Sequence, residues 1–135
     1  VTKDNRRQNI NAEMERADEA LAAATLLFEN GYINDAISRL YYFILYNVRA
    51  LLLSKDLEPR SHDGAIRLLG LHFIKSGLMS KSTAQVFSKL MKYREEADYN
   101  PISIFAKEDF VAFQEEAASL ATAIKKYLKE INMQD

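Results

Sequence analysis

Apolar residues recur at three- and four-residue steps along almost the whole chain, the period of helices buried on one side. The first run predicts a helix from about Asn5 to Asn30. Ala17, Ala20, Leu21, Ala24, Leu27 and Phe28 share its stripe, and Glu13, Arg16, Asp18 and Glu19 lie off it. Asn30-Gly31 stops this helix, because glycine enters the left-handed region without steric cost. The second run, Ile33 to Ser54, is apolar on most faces. Ile37, Leu40, Tyr41, Ile44, Leu45, Val48, Leu51 and Leu52 make its stripe, and Tyr42, Phe43, Tyr46 and Leu53 fill much of the rest. Such a helix is central, and its apolar surplus predicts contact with both the core and a second subunit.

Lys55–Arg60 reads as a loop, with Pro59 barring helix continuation. Ser61 is an N-cap for a short third helix, Ser61–Lys75, burying Ile66, Leu69 and Phe73 and ended by Gly77. Ser82-Thr83-Ala84-Gln85 reads as a capping box opening the fourth helix. That helix carries two adjacent stripes, Val86-Leu90-Tyr93-Ala97 and Phe87-Met91-Arg94-Asp98, and Pro101 ends it near Tyr99. After the short apolar connection Ile102–Ala106, Lys107-Glu108-Asp109 opens a fifth helix. Its expected buried positions are Phe110, Phe113, Ala117, Leu120, Ile124, Tyr127 and Ile131, a three-four repeat. Met133–Asp135 reads as a frayed tail. With no repeat or linker, the expectation is one all-α domain over 1–135, its core at about 5–131. Its architecture is a five-helix, mostly antiparallel up-and-down bundle of four long helices and one short.

The composition removes several chemistries. The chain has no cysteine, which excludes disulfides, thiolate metal sites and cysteine nucleophiles. Apolar runs such as Leu40–Leu45 are far too short to cross a bilayer, and Val1–Ile10 lacks the apolar core of a leader, so a cytoplasmic protein is expected. The net charge of -1 hides an asymmetry, because Ala36–Arg94 holds ten Lys/Arg against three Asp/Glu. A basic middle attracts phosphates or pairs with acidic outer helices. The histidines, His62 and His72, are ten residues apart with no Glu-x-x-His pattern, which leaves a di-iron bundle unsupported and calls for no metal or cofactor. His62 reads as part of a helix start and His72 as a packing residue.

The densest polar chemistry lies at Tyr93-Arg94-Glu95-Glu96-Ala97-Asp98-Tyr99-Asn100-Pro101. Arg94 and Asp98 stand one turn apart on a face that begins apolar. A carboxylate at a helix C-terminus is unfavourable by about 0.3–1 kcal/mol, and Arg94 is the nearest compensation. The pair is therefore either a clasp on the helix end or an anion grip, since a guanidinium can donate two parallel hydrogen bonds to a phosphate. On the second helix, Arg39, Tyr42 and Asn47 are the further candidates. Asn47 needs hydrogen-bond partners in so apolar a setting, because an unsatisfied buried amide costs about 1–3 kcal/mol.

The stretches Ala36-Ile37-Ser38-Arg39-Leu40-Tyr41-Tyr42, Arg49-Ala50-Leu51-Leu52-Leu53, Ser61-His62-Asp63-Gly64, Lys75-Ser76-Gly77-Leu78 and Arg94-Glu95-Glu96-Ala97-Asp98-Tyr99 together resemble the HEPN domain family, in its small stand-alone prokaryotic branch. The resemblance implies a five-helix bundle and a homodimer with a cleft between the two fourth helices. Many such proteins are metal-independent endoribonucleases or toxins, often paired with a small nucleotidyltransferase. Others are inert and bind nucleotides or nucleic acid. The ribonuclease signature is an arginine followed four to six residues later by a histidine. Arg94 matches the arginine, but Tyr99, Asn100 and Pro101 stand where the histidine is required.

An imidazole titrates near neutrality, whereas an unperturbed tyrosine titrates near about 10 and an aspartate near about 4, so neither substitutes well. His62 could supply the missing imidazole from another helix, but nothing in the spacing favours it. The leading expectation is a degenerate HEPN homodimer that binds nucleotide or RNA phosphate, or partners a nucleotidyltransferase in a toxin–antitoxin-like pair. Its ligand residues are Arg94, Asp98, Tyr99, Arg39, Tyr42 and Asn47. In the paired system Tyr99 becomes a candidate for nucleotide attachment. The alternatives are an active endoribonuclease using Arg94 and a non-catalytic helical adaptor.

Overall fold

A computed structural model of the chain describes residues 2–100, 102 and 104–133. The helices are α1 (Lys3–Glu29), α2 (Ile33–Leu53), α3 (His62–Leu69), α4 (Lys81–Tyr99) and α5 (Lys107–Glu130), with a π-helical turn at Gly70–Ile74. No strand occurs among the described residues, so the all-α bundle expected from the periodicity is the observed fold.

Helix α2 is the central element. It packs against α1, α4, α5 and the start of α3, and Ile37, Leu40, Tyr41, Ile44, Val48, Leu51 and Leu52 are fully buried. The alanines of α1, Ala17, Ala20 and Ala24, are buried and let the two helices run close together. Most of the apolar surface of α2 is buried within the chain. Tyr42, Tyr46 and Leu53 are themselves partly buried, and the most exposed large apolar residues are Ile102 and Ile104, beyond α4.

The turns explain the helix directions. At Gly31 (φ +85°) the chain reverses, and the Tyr32 N–H donates back to the Leu27 carbonyl at 2.9 Å. Pro59 is not what ends α2. Asp56 takes the left-handed conformation at φ +58°, and the Leu57 N–H bonds the Leu52 carbonyl at 3.0 Å. An aspartate tolerates that conformation better than most residues, and Arg6 of α1 holds its carboxylate from both oxygens. This reversal delivers Ser61, whose hydroxyl caps α3 by accepting the Gly64 N–H at 2.9 Å, as expected from the sequence.

Other local expectations need correction. The third helix does not run evenly to Lys75: it widens at Gly70, where the Lys75 N–H bonds the Gly70 carbonyl five residues back. The capping box at Ser82 does not form. Helix α4 starts at Lys81, and the Ser80 and Ser82 hydroxyls bond each other at 2.7 Å. At the end of α5 the buried seam moves from Tyr127 and Ile131 to Leu128, because a helix of 3.6 residues per turn drifts from a 3.5-residue repeat. Met133 is buried rather than frayed, its N–H bonding the Leu128 carbonyl at 2.8 Å behind a left-handed Asn132. Gln134 and Asp135, and Pro101 as the expected stop of α4, lie outside the described residues. Asn100 has already left the helix, at φ −108° and ψ 104°.

Candidate functional site

The site forms where α2, the start of α3 and the last turns of α4 meet. Arg94 reaches back from α4 onto α2, and its side chain is only 12 % exposed. Its guanidinium carbon stands 5.3 Å from the Tyr41 ring centre, 5.9 Å from Tyr42 and 5.9 Å from Tyr99. Cations over aromatic faces gain about 0.5–2 kcal/mol, more when desolvated. The ion pair to Asp98 is long, 3.3 Å from Nη1 to Oδ2, and the Ser38 hydroxyl donates to the same carboxylate oxygen at 3.3 Å. Asp98 thus ties α4 to α2 and orients Arg94. The Arg94 Nε is buried with no hydrogen-bond partner among the described residues. Burial alone would lower its pKa, but Tyr42, the Tyr99 hydroxyl, Asp98 and Tyr41 more than offset this and hold it above its ordinary value.

Tyr41 lies beneath the arginine. It is fully buried, stacks on Phe87 at 6.0 Å, and its hydroxyl has no partner among the described residues. Burial pushes the Tyr41 phenol up, against the pull of the Arg94 cation. Arg39 also covers Tyr42, 4.9 Å from its ring centre. Tyr42 continues to Tyr46 at 6.2 Å, and Arg16 lies 4.6 Å over that ring.

Of the residues singled out in the sequence, Arg94, Asp98, Tyr99, Tyr42 and Arg39 come together here. Asn47 does not join them. It is fully buried and donates from Nδ2 to the Phe43 carbonyl at 2.9 Å, a structural bond within α2.

The sequence reading left Ser38 and Tyr41 out of the group, and named His62 only as an imidazole that another helix could supply, with no spacing in its favour. The His62 ring lies 5.4 Å from Tyr41 and 6.3 Å from Tyr42, against the same two rings as Arg94. Burial pushes its pKa below the ordinary 6.5, the Arg94 and Arg49 cations push the same way, and Asp63 and Glu95 oppose them. An imidazole therefore stands beside the arginine, supplied by α3 and not by the end of α4. The connection after the left-handed turn at Asp56 and the Ser61 cap lead into it, so spacing along the chain carried no signal for it. Beside His62 a small recess of about 190 Å³ is lined by Leu45, Arg49, Pro59, Arg60 and Ser61. Among the described residues no cluster of three or more His, Asp or Glu converges as metal ligands, and no helix is long and apolar enough to cross a membrane.

A five-helix bundle around a central aromatic helix, with an arginine near the end of the fourth helix, is the arrangement of one family of small helical domains. The HEPN domain model matches residues 10–131, and the chain belongs to that family. Within it, the chain is 38 % identical over 93 % of its length to a Methanocaldococcus jannaschii protein named "Putative toxin MJ0605", covering 92 % of that protein. It is also 30 % identical over 86 % of its length to a "UPF0332 protein" of Thermotoga maritima, covering 88 % of it. A second M. jannaschii protein, "Putative toxin MJ0142", is 29 % identical over 89 % of this chain and 82 % of its own.

Proposed function

We propose that this HEPN protein, of a toxin-like family, acts as a homodimer that binds RNA or nucleotide phosphate at Arg94. The observation that carries the reading is the state of Arg94 itself. It is held on three tyrosines, and its polar contacts are the Tyr99 hydroxyl and one long ion pair to Asp98. A guanidinium used only as a clasp would close on its carboxylate at about 2.7–2.9 Å and spend its donors there. One fixed by ring faces keeps donors for an incoming anion. The surrounding Arg39, Arg49 and Arg60 belong to the basic middle of the chain and supply the field that draws a phosphate in.

Fluorescence anisotropy with a labelled single-stranded RNA at two salt concentrations tests this. Affinity should fall as salt rises, as counterion release requires, and Arg94→Ala should abolish binding while leaving the helical circular dichroism intact. Binding by the alanine variant equal to wild type would leave the clasp as the whole role of Arg94.

A specific observation favours a second reading, an active endoribonuclease: His62 stands against the same rings as Arg94. An imidazole there could take the 2′-hydroxyl proton as the new P–O2′ bond forms and the P–O5′ bond breaks, with the proton returned to O5′. Cleavage of RNA to a 2′,3′-cyclic phosphate by wild type, lost in His62→Gln, would establish this reading. Absence of cleavage alongside binding supports the inert form, for which a nucleotidyltransferase partner is the natural context.

A further inference from the structure

The partly buried face of α2 carries Arg39, Tyr42, Tyr46 and Arg49 in a row, at helical steps of three, four and three. Each ring in this row has a cation over it, Arg39 and Arg94 on Tyr42 and Arg16 on Tyr46. At 1.5 Å per residue the row is about 15 Å long. The recess beside Arg49 lies at its far end. Arg60 there makes no hydrogen bond or ion pair among the described residues. Arg49 shares Glu13 with Arg16, at 3.3 and 3.9 Å respectively, which leaves two arginines to one carboxylate. Ser61 begins α3 at the same point, and His62 joins the recess to the rings beneath Arg94.

At about 190 Å³ the recess is smaller than the roughly 300–1,000 Å³ of sites that enclose a whole small molecule. Its size and its cations suit one phosphate group. We propose that the recess of Arg49, Arg60, Ser61 and His62 is a second phosphate subsite. A single-stranded RNA lies along α2, one phosphate on Arg94 and another in the recess, with Arg39 and Arg16 on the Tyr42 and Tyr46 rings between them. Cations spaced along one helix face suit the backbone of a single strand, because every link carries a phosphate. The inference rests on Arg94 being the first phosphate contact, as proposed above, and extends it from an anion to a strand.

The test uses a labelled 2′-O-methyl octauridine, which cannot be cleaved through its 2′ position, beside adenosine triphosphate as the short polyphosphate. Wild type should bind the octamer at least about tenfold more tightly than the triphosphate, the worth of one further charge-assisted contact. Arg60→Ala and His62→Gln should each weaken the octamer several-fold, and Arg60→Ala should leave the triphosphate nearly unchanged. Arg60→Ala should also flatten the log affinity against log salt by roughly 0.7. Arg49 is kept, since its loss would strand Glu13 in the interior. If the octamer binds, Arg94→Ala abolishes binding, and Arg60→Ala and His62→Gln bind like wild type, the second subsite is overturned and the Arg94 reading stands. Equal affinity for the octamer and the triphosphate also overturns the strand. If wild type binds neither at low salt, both readings fall together.

Discussion

His62 is the residue where sequence and structure part most clearly. From the chain it is a helix-start residue with no spacing to mark it as the missing imidazole, and in the fold it lies against the same two rings as Arg94. Its lowered pKa has a sign that can be worked through. Between 6.5 and its folded value, the unfolded chain binds a proton that the folded chain refuses, so stability rises with pH across that window. Thermal melts from about pH 7 down to about pH 5 should therefore show wild type losing more stability than His62→Gln. Parallel losses would mean that the imidazole does not feel the cations and burial around it. A bound phosphate reverses the preference, because it favours the protonated ring. Affinity for phosphate should therefore climb as pH falls, and this climb should vanish in His62→Gln. Tyr41 gives an independent residue-scale expectation. Its buried hydroxyl lacks a partner among the described residues, and such a group costs about 1–3 kcal/mol. Tyr41→Phe should be neutral or stabilising by about 1 kcal/mol in urea denaturation. Destabilisation would show that the hydroxyl is engaged.

At the scale of elements, the periodicity located all five helices, because burial of one face per helix is written into every turn. What it could not supply was the geometry of the junctions. Ser61 was readable as a cap because serine before an apolar run has one common use, and its hydroxyl does accept the Gly64 N–H. Asp56 was not readable as the end of α2, since only the fold places Arg6 against its carboxylate. The π turn at Gly70–Ile74, in which Phe73 is buried with its ring 5.8 Å from Tyr127, likewise leaves no mark on the spacing. Arg94, Asp98, Tyr99, Tyr42 and Arg39 were legible because they lie on helix faces whose register is known. His62 was not, because it comes from a loop-delivered end. The cap therefore bears on function as well as stability. Ser61→Ala should cost about 1 kcal/mol in denaturation and should also weaken phosphate binding, by loosening the helix start that holds His62. A variant destabilised to that extent that binds normally would show that His62 is held by its rings alone.

At the scale of the whole molecule, the site sits next to the chain's most exposed apolar surface. Tyr99 is 74 % exposed, Ile102 85 % and Ile104 90 %, and Tyr32, 60 % exposed, lines a shared surface depression with Ile104. Single exposed apolar residues are ordinary, but four around one helix end form a patch of the kind that marks a protein contact. Helix α2, whose apolar surplus first suggested a dimer, buries most of that surface within its own chain and leaves Tyr42, Tyr46 and Leu53 partly exposed, so this patch adds a second face for a second copy. If two copies meet here, the α4 ends lie together and each Arg94 site gains a neighbour across the interface. Light scattering at micromolar concentration should then give twice the chain mass, and Ile104→Glu should return it to one, with helical content unchanged. RNA affinity should fall in that variant as well, since a strand could no longer engage two sites at once and would lose the gain from effective concentration. A wild-type mass of a single chain would remove the dimer. A dimer untouched by Ile104→Glu would place the interface on another face and leave each Arg94 site to act alone.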